Sequence, residues 1–290
     1  MTLVVTGATG HLGRLTLEFL LAKGVAPSDI VAGGRSTDKL ADFAARGVNV
    51  VPLDYTKPET LDAAFVGAEQ VLLISASDPG QRLAQHSAVV DAAKSAGIAH
   101  LAYTSILHAD TTEHVLAPDH AATEQLIRES GIPATFLRNG WYTENYTSAT
   151  EQAAQTGEIV ASVGGGRIAS ASRQDYAEAA AVVLTDPAAR GKTYELSGDI
   201  AWHHDELAAV ASELSGRPVV YRNVTPQQHA EILSGFGLDA GTVAFVVALD
   251  QNTRAGLLDS TTGELAALIG RPTTPLVDGL RADLATVPVS

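Results

Sequence analysis

Three glycines near the start of the chain, at positions 7, 10 and 13, constrain the fold more than any other feature of the sequence. The apolar residues Val4 and Val5 lead into them, and an amphipathic run from Leu15 to Ala22 follows directly. This order predicts a buried strand, a tight turn and a helix whose N-terminal amides carry partial positive charge. A pyrophosphate is the favoured ligand of such a turn. The alternative is a turn that needs its glycines only for backbone geometry.

Composition limits what else the chain can do. Its 290 residues, 46% of them hydrophobic, suffice for one large domain or a main domain with a smaller lobe. The absence of cysteine excludes disulfides, thiolate metal sites and cysteine catalysis. A formal charge of −14 argues against nucleic acid and anionic membranes as partners. No apolar run approaches the ~18–20 residues of a membrane span, and a core strand starts too early for a signal peptide, so we expect a cytoplasmic protein.

Strand-like and helix-like segments alternate through the first half of the chain. After the first strand and helix, strands are predicted at 29–34, 49–53, 70–75, 99–104 and 134–137, and helices at 38–46, 59–66, 81–96 and 118–130. The strands are continuous apolar runs, which is typical of parallel strands covered on both faces. The sequence therefore predicts a Rossmann-type, doubly wound α/β sheet that binds ligands at the carboxyl ends of its strands.

The pattern loosens after residue 140. Helices are predicted at 144–155, 175–184 and 206–214, strands at 159–162, 193–196 and 219–224, and mostly helix from Pro226 onward. We expect residues 1–140 to form an NAD(P)-binding domain, joined by the strand near 193–196. Residues 141–290 should form a smaller α+β lobe that supplies one wall of a substrate cleft.

The end of the second predicted strand indicates which nicotinamide cofactor is bound. An acidic residue there takes the ribose hydroxyls of NAD, whereas an arginine accommodates the 2′-phosphate of NADP. Here Arg35 follows two glycines, Lys39 comes one helical turn later, and no acidic residue lies between Arg35 and Asp38. Both cations can pair with a phosphate. We therefore expect NADPH, the alternative being that Arg35 is a solvated loop cation.

Two further strand ends carry polar residues. Asp54 and Tyr55 follow the third strand, where Asp54 either accepts from the adenine amino group or caps the next helix. Ser75, Ala76 and Ser77 end the fourth strand, where small residues permit close approach of ribose and pyrophosphate. The alternative for this triplet is a plain polar loop.

The catalytic pair of typical short-chain dehydrogenases is missing. Those enzymes place Tyr-x-x-x-Lys on the helix after the fifth strand, and the lysine lowers the pKa of the tyrosine. The comparable helix here has His120 and Glu124, and a glutamate cannot lower the pKa of a neighbouring acid as a cation does. Carbonyl reduction by that pair is therefore not expected.

Several motifs spread over nearly the whole chain point to one family. They are Thr6–Gly13, Asp54–Tyr55, Leu72–Ser75, Gly80–Arg82, Gln85–His86, Ala102–Ser105, Leu107–Thr111, Leu137–Tyr146, Ile168–Ala171, Gly191–Lys192, Tyr194–Leu196 and Ile269–Thr274. With them the chain resembles the bacterial type 2 NAD(P)H:quinone oxidoreductases, in the NmrA-like, atypical short-chain dehydrogenase group. Triphenylmethane dye reductases are close siblings. The run Arg-Asn-Gly-Trp-Tyr-x-Glu-Asn-Tyr that starts at Arg138 is far more specific than the glycine turn.

The resemblance implies NADPH bound between the two lobes and two-electron reduction of a quinone without a flavin, and no metal is expected from the residues. Together with the strand-end argument it gives the residues expected to contact the cofactor: Thr6, Gly7, Ala8, Thr9, Gly10, His11, Leu12, Gly13, Arg35, Lys39, Asp54, Tyr55, Ser75, Ala76, Ser77, Thr104, Asn139, Gly140, Trp141 and Tyr142. One departure from the family is that Gly33 and Gly34 are smaller than the pair expected before Arg35, which could loosen the pocket wall. A homodimer is a further expectation.

Three residues are candidates for the reaction itself. Asn139 could orient the carboxamide or the substrate oxygen, Tyr142 could donate or stack, and His108 could deliver a proton, as could His86. Purely structural roles are the alternative for each histidine, and Trp141 and Tyr142 could equally belong to the core between the lobes. The run His203–Glu206 is expected to be a helix N-terminus rather than a metal site.

Two functional classes stay open from the sequence. The first is an NADPH-dependent quinone reductase, with reduction of dyes or other electrophiles as a related activity. The second is an NmrA-like redox sensor that binds NADP(H) without turnover.

Overall fold

The computed structural model describes residues 2–76 and 80–286. The strands are β1 Leu3–Val5, β2 Ile30–Gly34, β3 Asn49–Pro52, β4 Gln70–Leu73, β5 His100–Ile106, β6 Ala134–Asn139, β7 Glu158–Ala161, β8 Arg167–Ile168, β9 Thr193–Leu196, β10 Trp202–His203 and β11 Val220–Asn223.

Helices separate most of these strands. They are α1 His11–Ala22, α2 Ala41–Ala45, α3 Pro58–Phe65, α4 Arg82–Ser95, α5 Ala117–Ser130, α6 Thr147–Thr156, α7 Arg173–Thr185, α8 His204–Ser215, α9 Pro226–Gly235, α10 Ala240–Arg254, α11 Glu264–Ile269 and α12 Leu276–Leu284. Short 3₁₀ helices lie at Pro27–Asp29, Thr37–Leu40, Thr143–Tyr146 and Pro187–Ala189.

A parallel sheet in the order β3-β2-β1-β4-β5-β6-β9 collects seven of the described strands. The order reverses between β1 and β4, so the crevice beyond the carboxyl ends of these two strands is the expected ligand site. Strands β1, β4 and β5 are buried throughout. The predicted doubly wound fold is confirmed.

The chain divides into two compact units. The first consists of Met1–Asp110, Leu116–Asn139 and Arg173–Leu196, and the second of Thr111–Val115, Gly140–Ser172 and Ser197–Ser290. The break after Asn139 lies next to the predicted boundary. The structure returns α7 as well as β9 to the first unit, whereas the sequence indicated only the strand. Helix α7 belongs there because it packs against α1.

Each unit has its own apolar core. In the first, side chains from the sheet and from α3, α4 and α5 pack together, among them Val71, Leu101 and Phe65. In the second, Trp202 and Leu207 pack with Ile159 of β7. The second unit also contains two small sheets, the antiparallel pair β8 and β10 and the parallel pair β7 and β11.

Several predicted boundaries were wrong. Strands β5 and β6 continue to Ile106 and Asn139, and β4 ends at Leu73 because the next amides bond to side chains rather than to neighbouring strands. The segment predicted as helix 38–46 is a 3₁₀ turn, Thr37–Leu40, followed by the short α2. The two-residue strands β8 and β10 were missed, since a run that short has no readable periodicity.

Candidate functional site

The glycine turn joins β1 to α1 as the sequence predicts. Gly7 has φ 59°, a conformation that a side chain would strain. A Cβ on Gly13 would lie 2.4 Å from the Gly7 carbonyl oxygen, so only glycine lets the helix start this close to the turn. Two turn amides are used locally, since Ala8 donates to the Gly33 carbonyl at 2.9 Å and Gly10 donates to the Gly7 carbonyl at 3.0 Å.

The amides that begin α1 are the ones suited to an anion. Gly10 is the N-cap, and no side chain caps this end of the helix. The amides that follow belong to His11, Leu12 and Gly13, of which His11 is exposed and the other two are buried. A twelve-residue helix that starts this way offers donors and a positive dipole end to a pyrophosphate. These observations fit a dinucleotide.

The two glycines at the end of β2 do not loosen the pocket wall. A Cβ on Gly34 would lie 2.5 Å from Thr9 Cγ2, and a Cβ on Gly33 would lie 2.5 Å from Leu53 Cδ1. Thr9 and Leu53 therefore occupy the space that larger residues at 33 and 34 would need. The predicted loosening was wrong.

Arg35 extends from the end of β2 as an exposed side chain, and Lys39 is exposed in the 3₁₀ turn that follows. Arg14 of α1 donates to the Lys39 carbonyl and pairs with Asp42 at 2.6 Å, which ties this turn to the first helix. Two cations therefore stand beside the strand end where a 2′-phosphate is expected, one of them on a turn that α1 holds in place.

Asp54 and Tyr55 follow β3 and face the charge of Arg35. Hydrogen bonds from the amide and hydroxyl of Thr56, at 3.0 and 2.7 Å, lower the pKa of Asp54, and the charges of Lys57 and Arg35 add to this. Helix α3 takes Lys57 as its N-cap without a side-chain hydrogen bond, so Asp54 closes a turn and does not cap the helix.

The hydroxyls of Thr6 and Tyr55 are occupied within the protein. They lie 2.5 Å apart, and Thr6 Oγ1 is also 2.9 Å from the Leu72 carbonyl oxygen and 3.1 Å from the Ile74 amide. Tyr55 donates to the Ile74 carbonyl at 2.9 Å, and burial raises the pKa of its hydroxyl. Both residues thus shape the ends of β1 and β4, which leaves the Tyr55 ring rather than its hydroxyl for an adenine.

Backbone amides of the segment after β4 are likewise hydrogen-bonded to side chains. The Ser75 amide donates to Thr104 Oγ1 at 2.9 Å. Thr104 is buried within β5, so this hydrogen bond ties the Ser75 backbone to the sheet. The Ala76 amide donates to Nε2 of His86 at 2.9 Å. Ser77, also predicted to contact the cofactor, lies outside the described residues.

The helix positions that carry Tyr and Lys in typical short-chain dehydrogenases have other tasks here. His120 Nδ1 lies 2.8 Å from the Tyr103 hydroxyl, inside the core. Glu124 forms a two-pronged pair with Arg138 at 2.9 and 2.8 Å and accepts from Ser105 at 2.6 Å. Burial alone would raise the pKa of Glu124, but these donors outweigh it and hold the pKa low.

Arg138 of β6 gathers three carboxylates. Besides Glu124 it donates to Asp110 at 2.9 Å and to Glu195 at 2.7 Å. Burial acts to lower the pKa of Arg138, yet the three carboxylates raise it overall. Glu195 in turn accepts the His108 amide at 2.8 Å, and its other contact to His108 is Nδ1 at 3.6 Å. This ion network holds the loop after β5, where His108 has φ 51° and a half-exposed ring.

Asn139 is the last residue of β6, where the sequence indicated a position beyond the strand. It pairs in register with Ile106 of β5 and Leu196 of β9 and is 4% exposed. Asn139 therefore lies at the carboxyl edge of the sheet, and its backbone is fixed by strand pairing on both sides.

Gly140, Trp141 and Tyr142 belong to the second unit. Tyr142 forms an isolated parallel bridge with Ala171, whose amide donates to the Trp141 carbonyl at 3.1 Å. The ring of Trp141 lies 5.9 Å from that of His114. All three residues are half-buried.

Metal and membrane sites find no support in residues 2–76 and 80–286. No three histidine, aspartate or glutamate side chains come together there as metal ligands do, and none of the helices has the length and apolar character needed to cross a bilayer. His203 and Glu206 form a capping box at the start of α8, as the sequence predicts.

The sequence did not reveal the polar side chains that hold the strand ends and loops of the site in place. It left His86 open between a proton donor and a structural residue, and it did not single out Arg82, Arg138 or Glu195 as site residues. Arg82 and His86 are four residues apart on the buried face of α4. That spacing of polar residues on an otherwise apolar face was the one available signal.

The chain belongs to the NmrA-like family, whose model matches residues 1–274. Quinone oxidoreductase 2 of Escherichia coli strain K12 is 43% identical over 278 residues, which cover 96% of this chain and 97% of that protein. The crystal structure of the E. coli NADPH-dependent quinone oxidoreductase in complex with NADPH superposes with a TM-score of 0.92 at 42% identity, over 97% of this chain and 99% of that one.

A second solved structure is nearly as similar. The triphenylmethane reductase of Citrobacter sp., complexed with NADP(H), has a TM-score of 0.90 and 36% identity, over 98% of this chain and 100% of that one. The predicted family and Rossmann-type fold are confirmed by these matches.

Proposed function

We propose that this chain is an NADPH-dependent quinone oxidoreductase that transfers hydride directly to a quinone, without a flavin. The observation that carries the proposal is the start of α1, which no side chain caps, together with the exposed Arg35 at the end of β2, in a chain 43% identical to an E. coli quinone oxidoreductase over 96% of its length. NADPH supplies the hydride, and a quinone that gains one hydride and one proton becomes a hydroquinone.

Different residues of the first unit bind different parts of the cofactor. The start of α1 binds the pyrophosphate, Arg35 and Lys39 bind the 2′-phosphate, and Ser75 and Ala76 approach the ribose. Asn139, held in register at the end of β6, orients a polar group near the nicotinamide.

His108 is the proton donor in this proposal. Its ring is half-exposed, so it can be reached by a substrate, and its Nδ1 lies 3.6 Å from the Glu195 carboxylate. His86 cannot serve, because both of its ring nitrogens are engaged and burial lowers its pKa to about 3.

The test is NADPH oxidation by the purified protein with benzoquinone and naphthoquinone, after its absorption spectrum has been checked for flavin. We expect NADPH consumption well above background and no flavin absorbance. Tight NADPH binding with no consumption across several quinones would instead identify a redox sensor, and a bound flavin would refute direct transfer.

Dye reduction is a second candidate activity. The Citrobacter triphenylmethane reductase matches 98% of this chain at 36% identity, and triphenylmethane dyes, like quinones, are conjugated electrophiles. Malachite green can be offered in the same assay. Decolourisation at a rate comparable to quinone reduction would support a broad acceptor range.

A further inference from the structure

Side chains from three other parts of the chain hold the segment after β4. Beyond Leu73 the strand ladder ends, and the next three amides donate to Thr6 Oγ1, Thr104 Oγ1 and His86 Nε2, at 3.1, 2.9 and 2.9 Å. The last of these amides belongs to Ala76, whose carbonyl accepts from Arg82 Nε at 2.7 Å. The Ala76 backbone is therefore bonded at both its amide and its carbonyl by two residues of α4.

The hydrogen-bond directions define the state of His86. Its Nε2 accepts from the Ala76 amide and carries no proton, so Nδ1 donates to Thr123 Oγ1 at 2.9 Å. The Thr123 hydroxyl in turn donates a hydrogen bond to the backbone carbonyl of Asp119 at 2.8 Å. His86 and Thr123 are 0% exposed, and Arg82 lies 3.6 Å from the Asp119 carboxylate. Helix α5 thus supports the residues of α4 that hold Ala76.

Ala76 lies where the cofactor is expected. It follows β4, one of the two strands that flank the reversal of strand order, and the first unit's glycine turn follows the other. A one-ångström shift of a backbone group beside a bound cofactor is enough to weaken binding and slow the reaction.

We propose that Arg82 and His86 are positioning residues that hold the Ala76 peptide in the geometry required by the ribose of the nicotinamide half of NADPH. This inference rests on the proposed function. Neither side chain touches the cofactor, and both act through Ala76.

The experiment compares NADPH binding by three variants. His86→Leu removes both hydrogen bonds, and we expect the Kd for NADPH to rise about tenfold, as loss of a buried hydrogen bond implies. His86→Gln keeps an acceptor for Ala76 and a donor for Thr123, and should recover most of the affinity. Arg82→Met removes the bond to the Ala76 carbonyl and should weaken binding in the same direction, and it carries the test if His86→Leu fails to fold.

His100→Leu is the matched control. His100 is 4% exposed and also uses both ring nitrogens, bonding Gln70 at 3.1 Å and Thr135 at 2.8 Å, but it begins β5 at the opposite end of the sheet. The variant His100→Leu should lower Tm, as His86→Leu does, but it should keep the Kd for NADPH within about twofold of the wild-type value.

Equal weakening by His86→Leu and His100→Leu, or unchanged binding in both α4 variants, would overturn the inference. A wild-type protein that does not bind NADPH would refute the proposed function itself. The two failures are therefore distinguishable by the wild-type measurement alone.

Discussion

Arg35 shows how one exposed side chain can set the charge at the end of a strand. It makes the end of β2 positive where an NAD enzyme would place a carboxylate, and its charge reaches Asp54 and Tyr55. At this scale the sequence was informative, since the position of Arg35 relative to the strand end is enough to predict a role for it. It was uninformative for Thr6 and Thr104, whose hydroxyls are committed to strand ends more than 25 residues away along the chain.

Arg35→Asp should raise the KM for NADPH by about ten- to a hundredfold, because a charge-assisted bond to phosphate is replaced by repulsion. The KM for NADH, which lacks the 2′-phosphate, should change far less. Arg222→Asp, an exposed cation of the second unit, makes the same change in net charge and should alter neither KM. Equal losses for the two cofactors would remove the 2′-phosphate role.

His108→Gln should lower kcat, because it removes the side chain proposed to donate the proton. The drop should stay below the roughly 10²–10⁴-fold typical of general acids, because a quinone accepts hydride without prior protonation. Steady-state rates with saturating NADPH provide the measurement. An unchanged kcat would assign the proton to solvent.

Helix α1 depends on the absence of a side chain at its third residue. Gly13→Ala places a Cβ 2.4 Å from the Gly7 carbonyl oxygen, so the helix must move away from the turn. We expect NADPH binding to fall by at least tenfold, which corresponds to about 1.4 kcal/mol. Gly165→Ala, whose added Cβ meets no atom within 4 Å, should bind NADPH as the wild type does.

The ion network around Arg138 joins α5, β6 and β9 within the first unit. Glu124→Gln leaves the buried guanidinium without its two-pronged partner and should cost about 3–5 kcal/mol of unfolding free energy. Glu213→Gln breaks the exposed pair with Arg281 and should cost less than about 1 kcal/mol. Urea denaturation measures the unfolding free energy of both variants. A small loss in Glu124→Gln, comparable to that in Glu213→Gln, would mean that water replaces the contacts of the Glu124 carboxylate.

Across the whole molecule, buried histidines couple stability to pH. Burial lowers the pKa of His86 to about 3 and of His100, His114 and His204 to about 4. Each has a pKa of about 6.5 in the unfolded chain, so between about pH 6.5 and 4 the unfolded chain binds more protons. The free energy of unfolding must therefore fall as the pH falls through this window.

Tm should accordingly decrease from pH 6.5 to pH 4.5, as followed by circular dichroism. His100→Gln lacks one of these groups, so its Tm should fall less steeply over the same range, whatever its Tm at neutral pH. A pH-independent Tm in the wild type would contradict the neutral, buried state of these histidines.

The sequence by itself determined the local features: the β1–turn–α1 unit, the alternation of strands and helices, and the cation after β2. Each depends on residues close together in the chain, so apolar periodicity and glycine spacing are sufficient to predict it. The family resemblance extended this to the expected chemistry, and the comparisons confirmed the family.

Only the tertiary structure decided which polar side chains meet. Glu195 accepts the amide of His108, 87 residues earlier, and His86 bonds Thr123, 37 residues later. Periodicity shows that such residues face inward but not which partner satisfies them, since a buried polar group needs a bond from any element that passes close enough. For that reason the glycine turn could be read from the sequence, whereas the histidine and arginine that hold the neighbouring strand end could not.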